Sequence, residues 1–328
     1  MAVSVWDQKC PTGMLGAGLG SWLSERRKLS QESSKTNVLS GVMGAYGGLF
    51  TSPFMVMLIP LESRHNQRVS YYGTLIIAAL AGVVGFILFY VPAGGQFASL
   101  LGMLDLPVYS VEVWHLFAAI GMGVLGAVLA VIFGVLVRLL RKVAAPMERR
   151  PVVRSTLAGL LLGLLGFALP LTLFLGTEGL QTVTTEGAQL GVALLVVVLF
   201  AKMVALAGAL AGGFIGGPIF PLLFVGGTAG VVINLLFPAV PLALAVGCMM
   251  AAVPGGLLPV PLALSVIVLV LAGIPATEAI PIPIAALTAF MVTYGILGLG
   301  DRKAESGPDE PEAAGAAPAE QEVMARQS

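Results

Sequence analysis

From Met203 to Gly300 the chain carries a single charged residue, Glu278. A water-soluble domain needs a solvated face, and charged side chains usually make up about 25% of its residues. Here they make up 10% of 328 residues, while 57% are hydrophobic and the mean hydropathy is +0.97. Uncharged runs of about 20 residues are long enough to cross a hydrocarbon core of about 30 Å. A soluble globule is excluded, and the chain reads as an all-helical, multi-pass membrane protein. Its 17 basic and 17 acidic residues cancel, so net charge draws no nucleic acid or other polyanion. The partner it implies is the lipid bilayer.

Proline and glycine decide how the apolar runs are cut. Thr12 to Leu23 is too short to cross and is read as a half-helix. Asn37 to Leu61 is interrupted at Thr51-Ser52-Pro53. Because Pro53 lacks an amide proton, two short helices meeting inside the membrane are expected, with one kinked span as the alternative. Gly73 to Tyr90, His115 to Leu140, Ser155 to Leu175 and Ala188 to Gly213 are read as full crossings. From Phe214 onward FIGGPIFP, LFPAVP, AAVPGGLLPVP and GIPATEAIPIP punctuate an apolar background. Backbone without hydrogen bonds is too costly against lipid, so these breaks belong in positions buried by protein or lining a cavity. Three regions follow: an irregular N-terminus over residues 1–10, a transmembrane domain over 11–299, and a disordered tail over 300–328, rich in Ala, Glu and Pro.

Basic residues set the orientation. They cluster at Arg26, Arg27, Lys28 and Lys35, at Arg64 and Arg68, from Arg138 to Arg154, and at Arg302 and Lys303. Those loops, and the tail with them, are expected on the cytoplasmic side of the plasma membrane. The loops near Leu106 and Thr184 lie in stretches without Lys or Arg and are expected outside. Two successive basic loops around Pro53 favour a segment that enters and returns.

No enzyme signature is present: no HExxH, no phosphate loop, no paired carboxylates within a span. No catalytic residue, metal site or cofactor is read from the chain. His65 and His115 lie at span edges, and Cys10 and Cys248, far apart in sequence, read as free thiols. Without a series of carboxylates for a proton relay, transport by backbone groups is left. Gly212 to Gly227, GGFIGGPIFPLLFVGG, suits that task. Pro218 and Pro221 open the run Ile219 to Leu236, so a helix starts at membrane depth with amides that have no intrahelical partner. Such an end carries partial positive charge and receives an anion without a formal cation. A proline kink with glycine packing is the bland alternative. Pro11 followed by TGMLGAGLGSWL, set beside Pro221 followed by LLFVGGTAGVVI, suggests an internal repeat of weak identity, and SGVMGAYGGLFTSPFMVMLIPL from Ser40 resembles the stretch from Ala245; chance similarity of Gly-rich apolar segments is the alternative.

The stretch Ala201 to Pro221, AKMVALAGALAGGFIGGPIFP, resembles the CLC chloride channel and proton/chloride antiporter family around its Gly-x-Phe-x-Pro anion motif. The likeness extends from about Pro11 to Leu297, and the chain resembles in particular a divergent bacterial branch. It implies a CLC-like bundle of tilted and broken helices with inverted repeats, shortened at the N-terminus, and a homodimer with one pathway per subunit. It implies transport of a small monovalent anion, chloride foremost, with the site at Gly216, Gly217, Pro218, Ile219, Phe220 and Pro221. The family's motif amides fall on Pro218 and Ile219; as Pro218 has none to give, Ile219 and Phe220 become the donors. The family's Gly-Lys/Arg-Glu-Gly-Pro aligns with Asp7, Gln8, Lys9, Cys10 and Pro11. Lys9 thus takes the position of the gating glutamate, which favours a channel-like path over proton-coupled exchange. The family's earlier Gly-Ser-Gly-Ile-Pro loop and its late pore tyrosine have no counterpart, which keeps open a non-conducting subunit. Glu62, or Ser63, falls at the inner proton-transfer glutamate, the alternative being a helix-end charge beside Arg64. Lys202 matches a basic residue of the family and is expected to line a vestibule or to snorkel to an interface.

Overall fold

Eleven α-helices form the described part of the chain, which in this computed structural model comprises residues 11–50, 53–62, 71–92, 104, 106–214 and 216–305. They divide the chain into a body, residues 2–294, and a C-terminal unit beginning at Gly295. The expected boundary was residue 300, and helix continues through Glu305.

The first four helices are α1 (Pro11–Arg26), α2 (Gln31–Phe50), α3 (Pro53–Glu62) and α4 (Tyr71–Tyr90). The polar connector expected between Glu25 and Lys35 shrinks to a tight turn, because α2 begins six residues before the apolar run at Asn37. Phe50 ends one helix and Pro53 starts the next, so the interrupted reading of this segment holds. The middle helices are α5 (Val113–Ala144), α6 (Pro151–Ala168) and α7 (Thr177–Gly212). Two expectations fail here. The crossing assigned to Ser155–Leu175 ends at Ala168, where Pro170 starts a single 3₁₀ turn. The segment around Thr184 is helix rather than loop, since α7 starts at Thr177 and breaks at Gly191. Gly191 has φ 77° and ψ 154°, a region open in practice to glycine alone. The last four are α8 (Ile219–Leu236), α9 (Leu242–Gly255), α10 (Pro261–Ala272) and α11 (Pro281–Glu305). The expected breaks after Phe214 all separate helices. By length and composition α5, α6, α7 and α8 can each cross a membrane. Leu157, Leu160, Leu164 and Phe167 form an exposed apolar face on α6 that only lipid or protein could cover.

The internal repeat is real in three dimensions. With Pro11 set on Pro221, Gly16 falls on Gly226 and Gly20 on Gly230. All four are the residues at which helices cross. A Cβ on Gly16 would strike the carbonyl of Gly41 and one on Gly20 that of Asn37, both on α2. One on Gly226 would strike the carbonyl of Met249, and one on Gly230 the backbone of Val246, both on α9. Glycines four apart let two backbones touch, which is the means by which helices associate where no hydrophobic effect separates them from lipid. After each pair comes a short helix opened by proline, α3 at Pro53 and α10 at Pro261. The core is centred on α9, buried from Ala243 to Gly255 and packed on α5, α8 and α10.

Candidate functional site

Two consecutive amides stand at the start of α8. Pro218 is the N-cap, with φ −78°, and offers no side-chain cap; Leu222 already donates to the Pro218 carbonyl at 3.0 Å. Pro221, in the third position, has no amide proton. The end thus presents Ile219 and Phe220 as its amides, the two expected from the sequence. Pro218 and Pro221 are buried, whereas Gly216, Gly217, Ile219 and Phe220 are half-buried.

Phe220 stacks on Phe50, the last residue of α2, with ring centroids 5.6 Å apart. Phe50 in turn meets Tyr46 edge to face at 5.6 Å. On the other side of Tyr46 lies Gly13, in the first turn of α1: a Cβ there would stand 2.9 Å from the Tyr46 hydroxyl oxygen. The N-terminal turns of α1 and α8 therefore approach the same aromatic pair from two sides. Sequence reasoning missed Tyr46 and Phe50; their only signal was a position just before the Pro53 break.

The motif is held from behind at two points. Arg154 Nε and Ser155 Oγ, on α6, both donate to the carbonyl of Gly212 at the end of α7, at 3.3 and 3.1 Å. Gly213, the C-cap, has φ 86°, a left-handed position that closes the helix before the glycine-rich turn. Deeper in, Lys202 Nζ donates to the carbonyls of Thr172, Leu173 and Phe174 and stands 5.2 Å from the Phe224 ring centroid. At 2% exposure, Lys202 neither lines a vestibule nor snorkels, correcting both expectations. The turn after α6 folds over its head.

Glu62 lies apart from these groups, at the end of α3. One carboxylate oxygen accepts the amide of Leu262 at 2.7 Å and the other that of Ala263 at 2.9 Å. Because Val260, the N-cap of α10, supplies no side-chain bond, a residue 200 positions away caps that helix. The contact ties the first group of helices to the last. Lys9, Ser63 and Arg64 fall outside the described residues. His115 caps its own helix, its Nδ1 accepting the Glu112 amide at 2.8 Å. Cys248 is a buried free thiol; Cys10 and His65 are not among the described residues.

The family model of the voltage-gated chloride channel matches residues 5–294, and the chain belongs to that family. The chain is 22% identical over 216 residues to an uncharacterised protein of Methanocaldococcus jannaschii, covering 64% of this chain and 51% of that protein. It spans about half the length of this curated relative. The fold is similar to the crystal structure of a CLC-type fluoride/proton antiporter, with a TM-score of 0.70, 19% identity, and coverage of 88% of this chain and 71% of the other. It is also similar to that of a slow cyanobacterial chloride/proton antiporter, with a TM-score of 0.64, 18% identity, and coverage of 91% and 72%. At these identities the likeness establishes the CLC fold of a multi-pass membrane protein.

Proposed function

We propose that this chain moves a small monovalent anion, with chloride as the ion, across the plasma membrane through a channel-like path, and that the ion rests at the start of α8. The observation that carries the reading is the Ile219 and Phe220 amide pair at a helix end that no side chain caps, where the Phe220 ring stacks on Phe50. A partly dehydrated anion there accepts two amide protons and the positive end of the helix dipole. Backbone groups of this kind replace hydration water without binding so tightly that the ion is trapped. Gly216 has open space where a Cβ would stand, which leaves room for its approach.

Lys9 at the gate position argues for uncoupled flux, because an ammonium cannot compete with an anion for the site. Glu62 supports the same reading. With both oxygens engaged by α10 amides, its carboxylate serves as a helix-to-helix staple rather than as a carrier that exchanges protons. Proton-coupled exchange is the second reading, favoured by the two antiporter folds the chain resembles. We take the protein to act as a homodimer with one path per subunit, and the tail to lie in the cytoplasm.

Chloride efflux from liposomes holding the purified protein, with and without an imposed proton gradient, tests this. Efflux indifferent to the gradient is the expected result. Efflux driven by the gradient would favour the exchanger, and no efflux from folded protein would leave a non-conducting subunit.

A further inference from the structure

One ammonium group, Lys202 Nζ, gives its three protons to three consecutive carbonyls, at 2.9 Å (Thr172), 3.2 Å (Leu173) and 2.9 Å (Phe174). The Phe224 ring centroid lies 5.2 Å from the same nitrogen. All of its hydrogen bonding is satisfied, yet nothing neutralises its charge. Carbonyls and a ring face supply partial charges only, and among the described residues no carboxylate takes part. Lysine within a membrane usually sends its head to water. Here the head is turned inward at 2% exposure, a costly arrangement that a neutral side chain would avoid.

The position of Phe224 connects this charge with the site. Phe224 follows Phe220 by four residues, so both lie on one face of α8, one turn apart. Phe224 is buried, and a Cβ on Gly176 or Gly179 would press on its ring. The turn at 170–176 holds Lys202, and Lys202 and that turn both lie against Phe224, in the second turn of α8. The backbone that carries the grip is itself unusual: Phe174 has φ 51° and Gly176 φ 86°, so three carbonyls in sequence point at one nitrogen.

We propose that Lys202 is the buried cation behind the anion site. It is a positioning residue that sets α8 through Phe224, and its uncancelled charge adds to the positive end of the helix where the ion rests. This builds on the reading that the Ile219 and Phe220 amides hold the anion. Selectivity for anions then rests on a fixed charge as well as on helix-end dipoles.

Chloride efflux from liposomes, measured against chloride concentration for the full chain, for Lys202→Met and for Lys202→Arg, separates the two roles; thermal unfolding in detergent is followed in parallel. Lys202→Met should raise the half-saturating chloride concentration about tenfold, because a buried charge acts on an ion in a low dielectric. Lys202→Arg retains the charge and should stay within about threefold of the wild type, though its fork cannot serve three carbonyls from one point. A lysine of structural importance only would lower the unfolding temperature or the maximal rate in Lys202→Met and leave half-saturation unmoved; that result overturns the inference. If Lys202→Met does not fold, Lys202→Arg decides, and a rise beyond about tenfold in that folded variant overturns it too. Flux in the wild type with unmoved half-saturation in Lys202→Met defeats this inference alone. Absence of flux in folded wild-type protein defeats it together with the anion reading.

Discussion

The α1/α2 and α8/α9 pairs cross at matching glycines, yet the two short-helix ends have different surroundings. Every residue of α8 from Pro221 to Val231 is buried. In α1 burial falls on the crossing stripe of Gly13, Gly16, Gly20 and Ser24, while Leu15 and Leu19 are 72% and 67% exposed. The first-repeat hairpin is closed by polar contacts, Asn37 Nδ2 donating to Ser24 Oγ at 3.2 Å and Ser24 Oγ to the Gly20 carbonyl at 2.7 Å. The second packs against α5, α7 and α10, with the Phe224 ring 5.2 Å from Lys202. The same local design thus yields one helix end enclosed by other helices and one with an exposed face. An ion site that must keep amide geometry belongs at the first kind.

The comparison is most severely tested at the paired glycines. Gly226→Leu drives a side chain into the Met249 carbonyl and the Met250 backbone; we expect no folded protein, seen as loss of the monodisperse peak in size-exclusion chromatography. Gly16→Leu meets the Gly41 carbonyl in the same way, but α1 has an open side toward which it can move, so folded protein should be recovered with a loss of about 1–3 kcal/mol. Equal loss in both would remove the distinction between the two ends. Gly217→Leu should abolish anion flux, at least about a hundredfold, while leaving the unfolding temperature near that of the wild type, since removal of site geometry acts on passage of the ion. Unchanged flux would move the site elsewhere. Glu62→Ala leaves two amides of α10 without their acceptor and should cost about 1–3 kcal/mol in denaturant unfolding, with Glu62→Gln losing roughly half, because one amide can still be served. The smallest effect is expected for Ser155→Ala, about 0.5–1 kcal/mol, as Arg154 still donates to Gly212.

Much of this architecture was legible beforehand. Glycine and proline marked the ends of α1, α3, α8 and α10, and the Pro11 to Pro221 register pointed to the internal repeat, though not to the glycines at which its helices cross. Proline at a helix start and glycine at a crossing are local demands, so they leave local traces. That the proposed donors are Ile219 and Phe220 followed from the missing Pro218 amide alone. What could not be read depends on contacts distant in sequence. Nothing around Glu62 announces that α10 lacks a cap, and nothing around Lys202 announces that the turn after α6 will fold back on it. The end of α6 at Ala168 was missed because Leu169 to Leu175 remains apolar and only Pro170 interrupts it. The break at Gly191 was missed because a lone glycine in an apolar run reads equally well as helix packing.

Anomalous scattering from bromide in crystals of the purified protein tests the central claim most directly. Bromide is a close substitute for chloride and reports its own position. The account predicts a peak within hydrogen-bond distance of the Ile219 and Phe220 amides, and its loss in Gly217→Leu. A bromide site elsewhere in a protein that conducts anions, with the start of α8 empty, would contradict it.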